Sequence, residues 1–131
     1  MSRDRIIEIT HTALRIIAGA MFLCHGLQKL FGVPIGPMQP IGSQLWIGGV
    51  VELTAGTLIA LGLHARLAAF IASGQMAVAY FQFHWKLDFS EFHWLPLATG
   101  ADDTVLYCFV FLWLSAAGPG RWSIDAARGR L

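Results

Sequence analysis

The residues able to do chemistry in this chain are few, and most stand in apolar surroundings. His25, Gln28 and Lys29 are three and four positions apart, which places all three on one face of a helix. Glu52 stands inside a second apolar run, and Gln75 and Met76 inside a third. Ionisable groups at the centre of a membrane helix cost about 2.5–3.5 kcal/mol on insertion scales, so they are the first place to look for function. Glu52 lies roughly eight residues, or about 12 Å at 1.5 Å per residue, from the outer end of its run. Similar counts put Cys24, His25, Gln75 and Met76 at comparable depth, with Lys29, His84, Asp102 and Asp103 nearer the outer surface. The depths converge on one polar cluster.

The expected site is Glu52, His25 and Lys29 in one hydrogen-bonded, partly charged group, with Asp102 or Asp103 as a second partner for Lys29. A carboxylate beside an imidazole can move a proton near neutral pH. That suits a quinone or another small redox-active headgroup, whose reduction consumes protons, and Gln75 and His84 stand at depths where they would contact it. The competing reading is a polar cluster that only holds helices together. On that reading Lys29 snorkels outward, Arg15 and Arg66 anchor the inner boundary, and His84, His93 and the aspartates are interface residues. No metal-ligand spacing is present. Cys24 and Cys108 form no Cys-x-x-Cys pair and are expected as free thiols.

These side chains need elements to carry them. Of 131 residues, 56% are hydrophobic and 13% charged, with a mean hydropathy of +0.59. A soluble domain carries about a quarter charged residues, so lipid is the expected solvent. A helix needs roughly 20 residues to cross a hydrocarbon core of about 30 Å. Four stretches, 13–31, 44–63, 65–84 and 101–117, are read as such helices, since open strands in lipid leave backbone groups unpaired. Three prolines between Gly32 and Pro40 end the first run, Pro96 interrupts the segment before the fourth, and Gly118-Pro119-Gly120 closes it. The first run lacks a small-residue cleavage site and reads as a retained helix.

Arg3, Arg5, Arg15, Arg66, Arg121, Arg128 and Arg130 fall on one side, and only Lys29 and Lys86 on the other. Both termini are therefore expected in the cytoplasm, with Trp46, Trp85 and Trp94 in the outer aromatic belt and Trp122 in the inner one. The fold expectation is all-α: a single-domain, integral membrane four-helix bundle over residues 1–131. Small residues at four-residue spacing, Gly48, Glu52, Gly56 and Ala60 on one helix and Ala65, Ala69, Ser73 and Ala77 on the next, mark the packed faces. A net charge of +1 gives no sign of a nucleic-acid partner.

Several of these segments together resemble the DoxX family of small four-helix bacterial membrane proteins. They are His25-Gly26-Leu27-Gln28-Lys29-Leu30, Gly48-Gly49-Val50-Val51-Glu52, Leu61-Gly62-Leu63-His64-Ala65-Arg66, and Gly118-Pro119-Gly120 with Ser123 and Asp125. Ala65 stands where the family more often has threonine, and Asp102 and Asp103 where its fourth helix opens with a glutamate. The resemblance implies a multi-pass inner-membrane protein, with some members tied to quinone-linked sulfur oxidation and others to oxidative-stress or quinone-resistance complexes. It carries Arg15, His25, Lys29, Glu52 and Arg66 over as site positions, which adds Arg15 to the candidate cofactor contacts Gln75, His84, Asp102 and Asp103.

The leading expectation is a membrane subunit of a quinone-linked redox system. No haem, flavin or cysteine-cluster motif stands in the chain to carry electrons, so a soluble redox partner protein is expected with it. The rival expectations are a non-catalytic scaffold subunit and a small transporter, which at this length requires a homo-oligomer.

Overall fold

The computed structural model describes residues 1–130, and all regular structure there is helical. α1 spans Arg3–Phe31, α2 Gln44–Leu61 and α3 Ala65–Ala79; the chain then runs on through a π-helical turn, Tyr80–Trp85. A single 3-10 turn at Ser90–Phe92 and the short α4, Pro96–Thr99, cross the following loop. α5 covers Asp102–Ala117, and the short α6, Ile124–Ala127, ends the fold. α1 and α2 are each long and apolar enough to cross a membrane.

Local chemistry sets these boundaries. The Ser2 hydroxyl accepts the Arg5 amide at 3.3 Å and the Ser43 hydroxyl accepts the Trp46 amide at 3.2 Å, so α1 and α2 each start on a serine cap. α1 ends where Gly32 turns left-handed and donates its amide to Gln28. α1 also begins about ten residues before the expected span, because Ser2 caps a polar first turn that a hydropathy count passes over. α3 keeps its regular period only to Ala79. Beyond it the turn widens, and the Lys86 amide reaches back to the Phe81 carbonyl.

Packing divides the bundle into two tight pairs, α1 with α2 and α3 with α5. The first pair is in backbone contact through glycines. A side-chain carbon at Gly26 would lie 2.5 Å from the Leu53 nitrogen, and one at Gly56 would lie 2.5 Å from the Leu23 nitrogen. Dispersion from such close approach is what holds helices together where no hydrophobic drive exists. In the second pair Ala65, Ala69 and Ser73 are buried as expected, joined by Ala68, Ala72 and Met76. The Ser73 hydroxyl donates to the Cys108 carbonyl at 2.8 Å. Phe22, Ile59, Phe111 and Leu114 fill the space between the pairs.

The buried stripe of α2 is Gly49, Glu52, Ala55, Gly56 and Ile59. It is thus turned slightly from the expected stripe, and Gly48 is half-buried against Gln75 of α3. Cys24 and Cys108 are both free thiols.

Candidate functional site

Glu52 is the centre of the polar cluster. Its side chain is only 2% exposed, and its Oε1 receives the Lys29 ammonium at 2.6 Å. Gln75 Nε2 donates to the same oxygen at 3.2 Å and to the Gly48 carbonyl at 3.1 Å, which ties α3 to α2. Glu52 Oε2 is buried without a hydrogen-bond partner. A buried charge held on one oxygen only is costly unless something completes its shell. Gly49 is what lets the pair form. A side-chain carbon there would lie 2.8 Å from Lys29 Cβ, so the lysine stem passes directly over the α2 backbone.

The pair forms part of the lining of a cavity of about 170 Å³. His25, Phe22, Met76, Phe83, His84, Asp103, Thr104 and Tyr107 contribute further wall. Of the aromatic wall, Phe22 and Tyr107 rest on the fully buried Phe111, with Phe22 and Phe111 centred 4.8 Å apart and Tyr107 stacked on Phe111 at 5.5 Å. The Tyr107 hydroxyl is buried and unpartnered, like Glu52 Oε2. His84, presented by the π-helical turn, meets Thr104 at 3.2 Å between Nε2 and Oγ1. Widened turns of this kind recur at functional sites.

The expected cluster is therefore drawn together in large part, with specific changes. Lys29 pairs with Glu52 rather than snorkelling free. His25 lines the cavity but does not bond to Glu52; its ring stands perpendicular to Tyr107 at 6.0 Å. Neither Asp102 nor Asp103 pairs with Lys29 among the described residues. Asp103 lines the cavity and accepts the Thr104 amide at 2.8 Å within the first turn of α5, whereas Asp102 lies outside the cavity. Gln75 and His84 are both at the site. Tyr107 and Thr104, which the sequence reading missed, were signalled by spacing, since Tyr107 stands four residues from Asp103 and three from Thr104 on one helix. His93 stays in the loop, 3.5 Å from Asp88.

Arg15 sits at the end of the bundle that carries the termini, where its place among the inner-boundary arginines put it, and not with Glu52. It is 2% exposed and donates to the Pro119 carbonyl, to the Trp122 carbonyl at 2.9 Å and to the Ala60 carbonyl at 3.5 Å. Three carbonyls on a buried guanidinium pin the last segment to the helices. Arg66 does the same for the end of α5, donating to the Ala116 and Ser115 carbonyls. Asp125 completes this clamp, taking the His64 amide at 2.8 Å and the Ala65 amide at 3.0 Å on its two oxygens. It caps α3 from sixty residues away, where His64 offers no side-chain cap of its own. Burial pushes the Asp125 carboxyl up, but the two amides, with His64 and Arg128 nearby, outweigh it and hold it below the usual carboxylate range.

The class these features define is an all-helical membrane protein whose buried ion pair opens onto a small aromatic-walled cavity. Residues 10–85 match the DoxX family, and the chain belongs to that family. It is 37% identical over 116 residues to an uncharacterized protein of Haemophilus influenzae, covering 86% of this chain and 85% of that one. It is 32% identical over 127 residues to an uncharacterized membrane protein of Mycobacterium tuberculosis, covering 86% and 77%. No solved structure matches the chain.

Proposed function

We propose that the protein is a multi-pass inner-membrane component of a quinone-linked redox system, and that the cavity beside Glu52 receives the quinone ring. The observation that carries this reading is the unsatisfied polar pair on an aromatic wall: Glu52 Oε2 and the Tyr107 hydroxyl, both buried and both lining the same cavity. A cavity of about 150 Å³ holds a benzene-sized ring, so about 170 Å³ suits a single substituted ring and excludes a larger cofactor. A bound quinone takes up two electrons and two protons to become a quinol. Tyr107 and Lys29 would hold its carbonyl oxygens as donors, while Glu52 and the nearby His25 would supply and accept protons. Phe22, Phe83 and Met76 would keep water from the ring. Electrons would come from a soluble partner protein, since the chain carries no electron-transfer motif.

The site also needs a topology. We read α1, α2, α3 with its π-helical continuation, and α5 as four membrane passes, with both termini in the cytoplasm. The placement of seven arginines at the end that carries the termini supports this orientation. α1, at 29 residues, spans about 44 Å at 1.5 Å per residue, and its first turns would stand in the cytoplasm.

The test is quinone content and binding of a ring-only quinone analogue by the purified protein, beside Glu52→Gln. Binding weakened at least tenfold in the variant supports the reading. No binding by the unmodified protein sinks it and leaves the cluster as a packing device for a scaffold subunit.

A further inference from the structure

The Lys29–Glu52 pair is bordered by two spaces. One is the cavity between the helix pairs. The other is a groove of about 380 Å³ on the outside of the bundle, along the seam where α2 and α3 touch only lightly. Lys29, Leu45, Glu52, Met76, Ala79 and Phe83 line both. These six residues form the wall shared by the groove and the cavity, and the charged pair stands in it.

Two amide ties cross this seam. Gln75 reaches Gly48 and Glu52 on one side, and Gln44 and Gln82 exchange two hydrogen bonds, at 2.7 and 3.0 Å, on the other. Gln75 and Gln82 are seven residues apart, which leaves a window about 10 Å long at 1.5 Å per residue. The ties hold the ends of the window. Gly74 lines the groove, and a side-chain carbon there would meet nothing within 4 Å. Gly48 lines it as well. Ile47, Val51, Ile71 and Val78 make the remaining wall apolar.

A trough of small residues alone identifies no ligand. Here the second observation is Glu52 itself, 2% exposed, lining the groove as well as the cavity, with one carboxylate oxygen lacking a partner. A polar group that needs completing stands at the inner end of an apolar channel open to the outside of the bundle. We infer that the ligand is a lipid-soluble molecule with a polar ring and a long apolar tail, which reaches the site sideways from the bilayer. Its ring passes the window between Gln75 and Gln82, and its tail lies along the α2–α3 groove over Gly74. This rests on the ring-binding reading above and goes beyond it by assigning the tail and the route. A water-soluble ring would gain nothing from the groove, whereas a tail already dissolved in the bilayer exchanges its lipid contacts for packing against the groove wall.

The experiment compares two probes on the full chain in lipid nanodiscs: a tail-less substituted benzoquinone and the same ring carrying a decyl tail. Each is titrated against unmodified protein, Gly74→Phe and Glu52→Gln, with empty nanodiscs subtracted. Gly74→Phe fills the trough from a position with free space, and its folding is checked by helicity and thermal midpoint. The expected result is at least tenfold weaker binding of the tailed probe by Gly74→Phe, with the tail-less probe within twofold and both probes weakened by Glu52→Gln. If Gly74→Phe leaves both probes unchanged, or weakens both equally, the groove assignment is overturned while the ring site stands. If neither probe binds the unmodified protein, the ring site falls and the groove assignment with it. Should Gly74→Phe not fold, Val51→Trp on the facing wall is held to the same outcomes.

Discussion

Replacing Lys29 with methionine leaves Glu52 buried with only the Gln75 amide as a partner. At 2.6 Å the ion pair is worth about 6 kcal/mol of Coulomb attraction at an effective dielectric of 20, against a desolvation cost of several kcal/mol for each ion. The net value of the pair is thus small, but stranding one member is not. Lys29→Met should cost about 3–5 kcal/mol, the usual price of an uncompensated buried charge. Glu52→Met should cost only about 1 kcal/mol, the net value of a lost hydrogen bond. The difference follows from exposure. Lys29 is 23% exposed and its ammonium can swing to water, whereas Glu52 at 2% cannot. The double variant Lys29→Met/Glu52→Met removes both charges and keeps the volume, so it should return to within about 1 kcal/mol of the unmodified protein. The assay is unfolding in mixed micelles by SDS titration, followed by far-ultraviolet circular dichroism. A double variant as unstable as the sum of the two singles would refute the coupling. Equal losses in the two singles would refute the burial asymmetry. The double variant also separates structure from function, because it should fold yet bind no ring probe.

Two further perturbations test the rest of the frame. Gly56→Ala places a carbon 2.5 Å from the Leu23 nitrogen and 2.7 Å from the Gly19 carbonyl, and should destabilise by about 1–3 kcal/mol. Gly74→Ala meets nothing and should stabilise by about 0.5–1 kcal/mol through helix propensity; shifts of the same sign in the SDS midpoint would contradict the packing. Asp125, held below the usual carboxylate range, binds fewer protons in the folded than in the unfolded chain, so its contribution is present above about pH 4 and lost as pH falls through its folded value. The protection of the His64 and Ala65 amides from hydrogen exchange, taken relative to the intrinsic rate at each pH, should therefore stay high at neutral pH and fall only in acid. In Asp125→Asn that protection should be lower throughout the range above about pH 4, at a cost of about 0.5–2 kcal/mol for the lost cap; protection unchanged in that variant would remove Asp125 from the clamp.

Depth counting along apolar runs was enough to bring Glu52, Lys29, Gln75 and His84 together, because a helix converts sequence distance into height with little ambiguity. Height says nothing about azimuth, and the misses are azimuthal. His25 shares the level of Glu52 but turns toward Tyr107, and Asp102 lies outside the cavity that its neighbour Asp103 lines. Tyr107 and Phe22 read as ordinary apolar residues until the two helix pairs are docked face to face. The partners of Arg15 were not legible for a different reason. They are the carbonyls of Pro119 and Trp122, more than a hundred residues further on, and backbone acceptors leave no mark in a sequence.

The division into two pairs explains why the site lies where it does. Glycine contacts weld α1 to α2, so Lys29 and Glu52 are carried by one rigid half and their separation is set by backbone contact. Gln75, His84, Thr104 and Tyr107 belong to the other half, which is also tightly packed within itself. The cavity and the groove are both products of the seam between the halves, and pockets between helices are the usual ligand sites of bundles. It follows that substitutions in the glycine contacts and substitutions in the α3–α5 wall should damage binding differently. The first would misplace the charged pair and weaken every ligand of the site. The second would reshape the walls and change which ligand fits, leaving the ion pair intact.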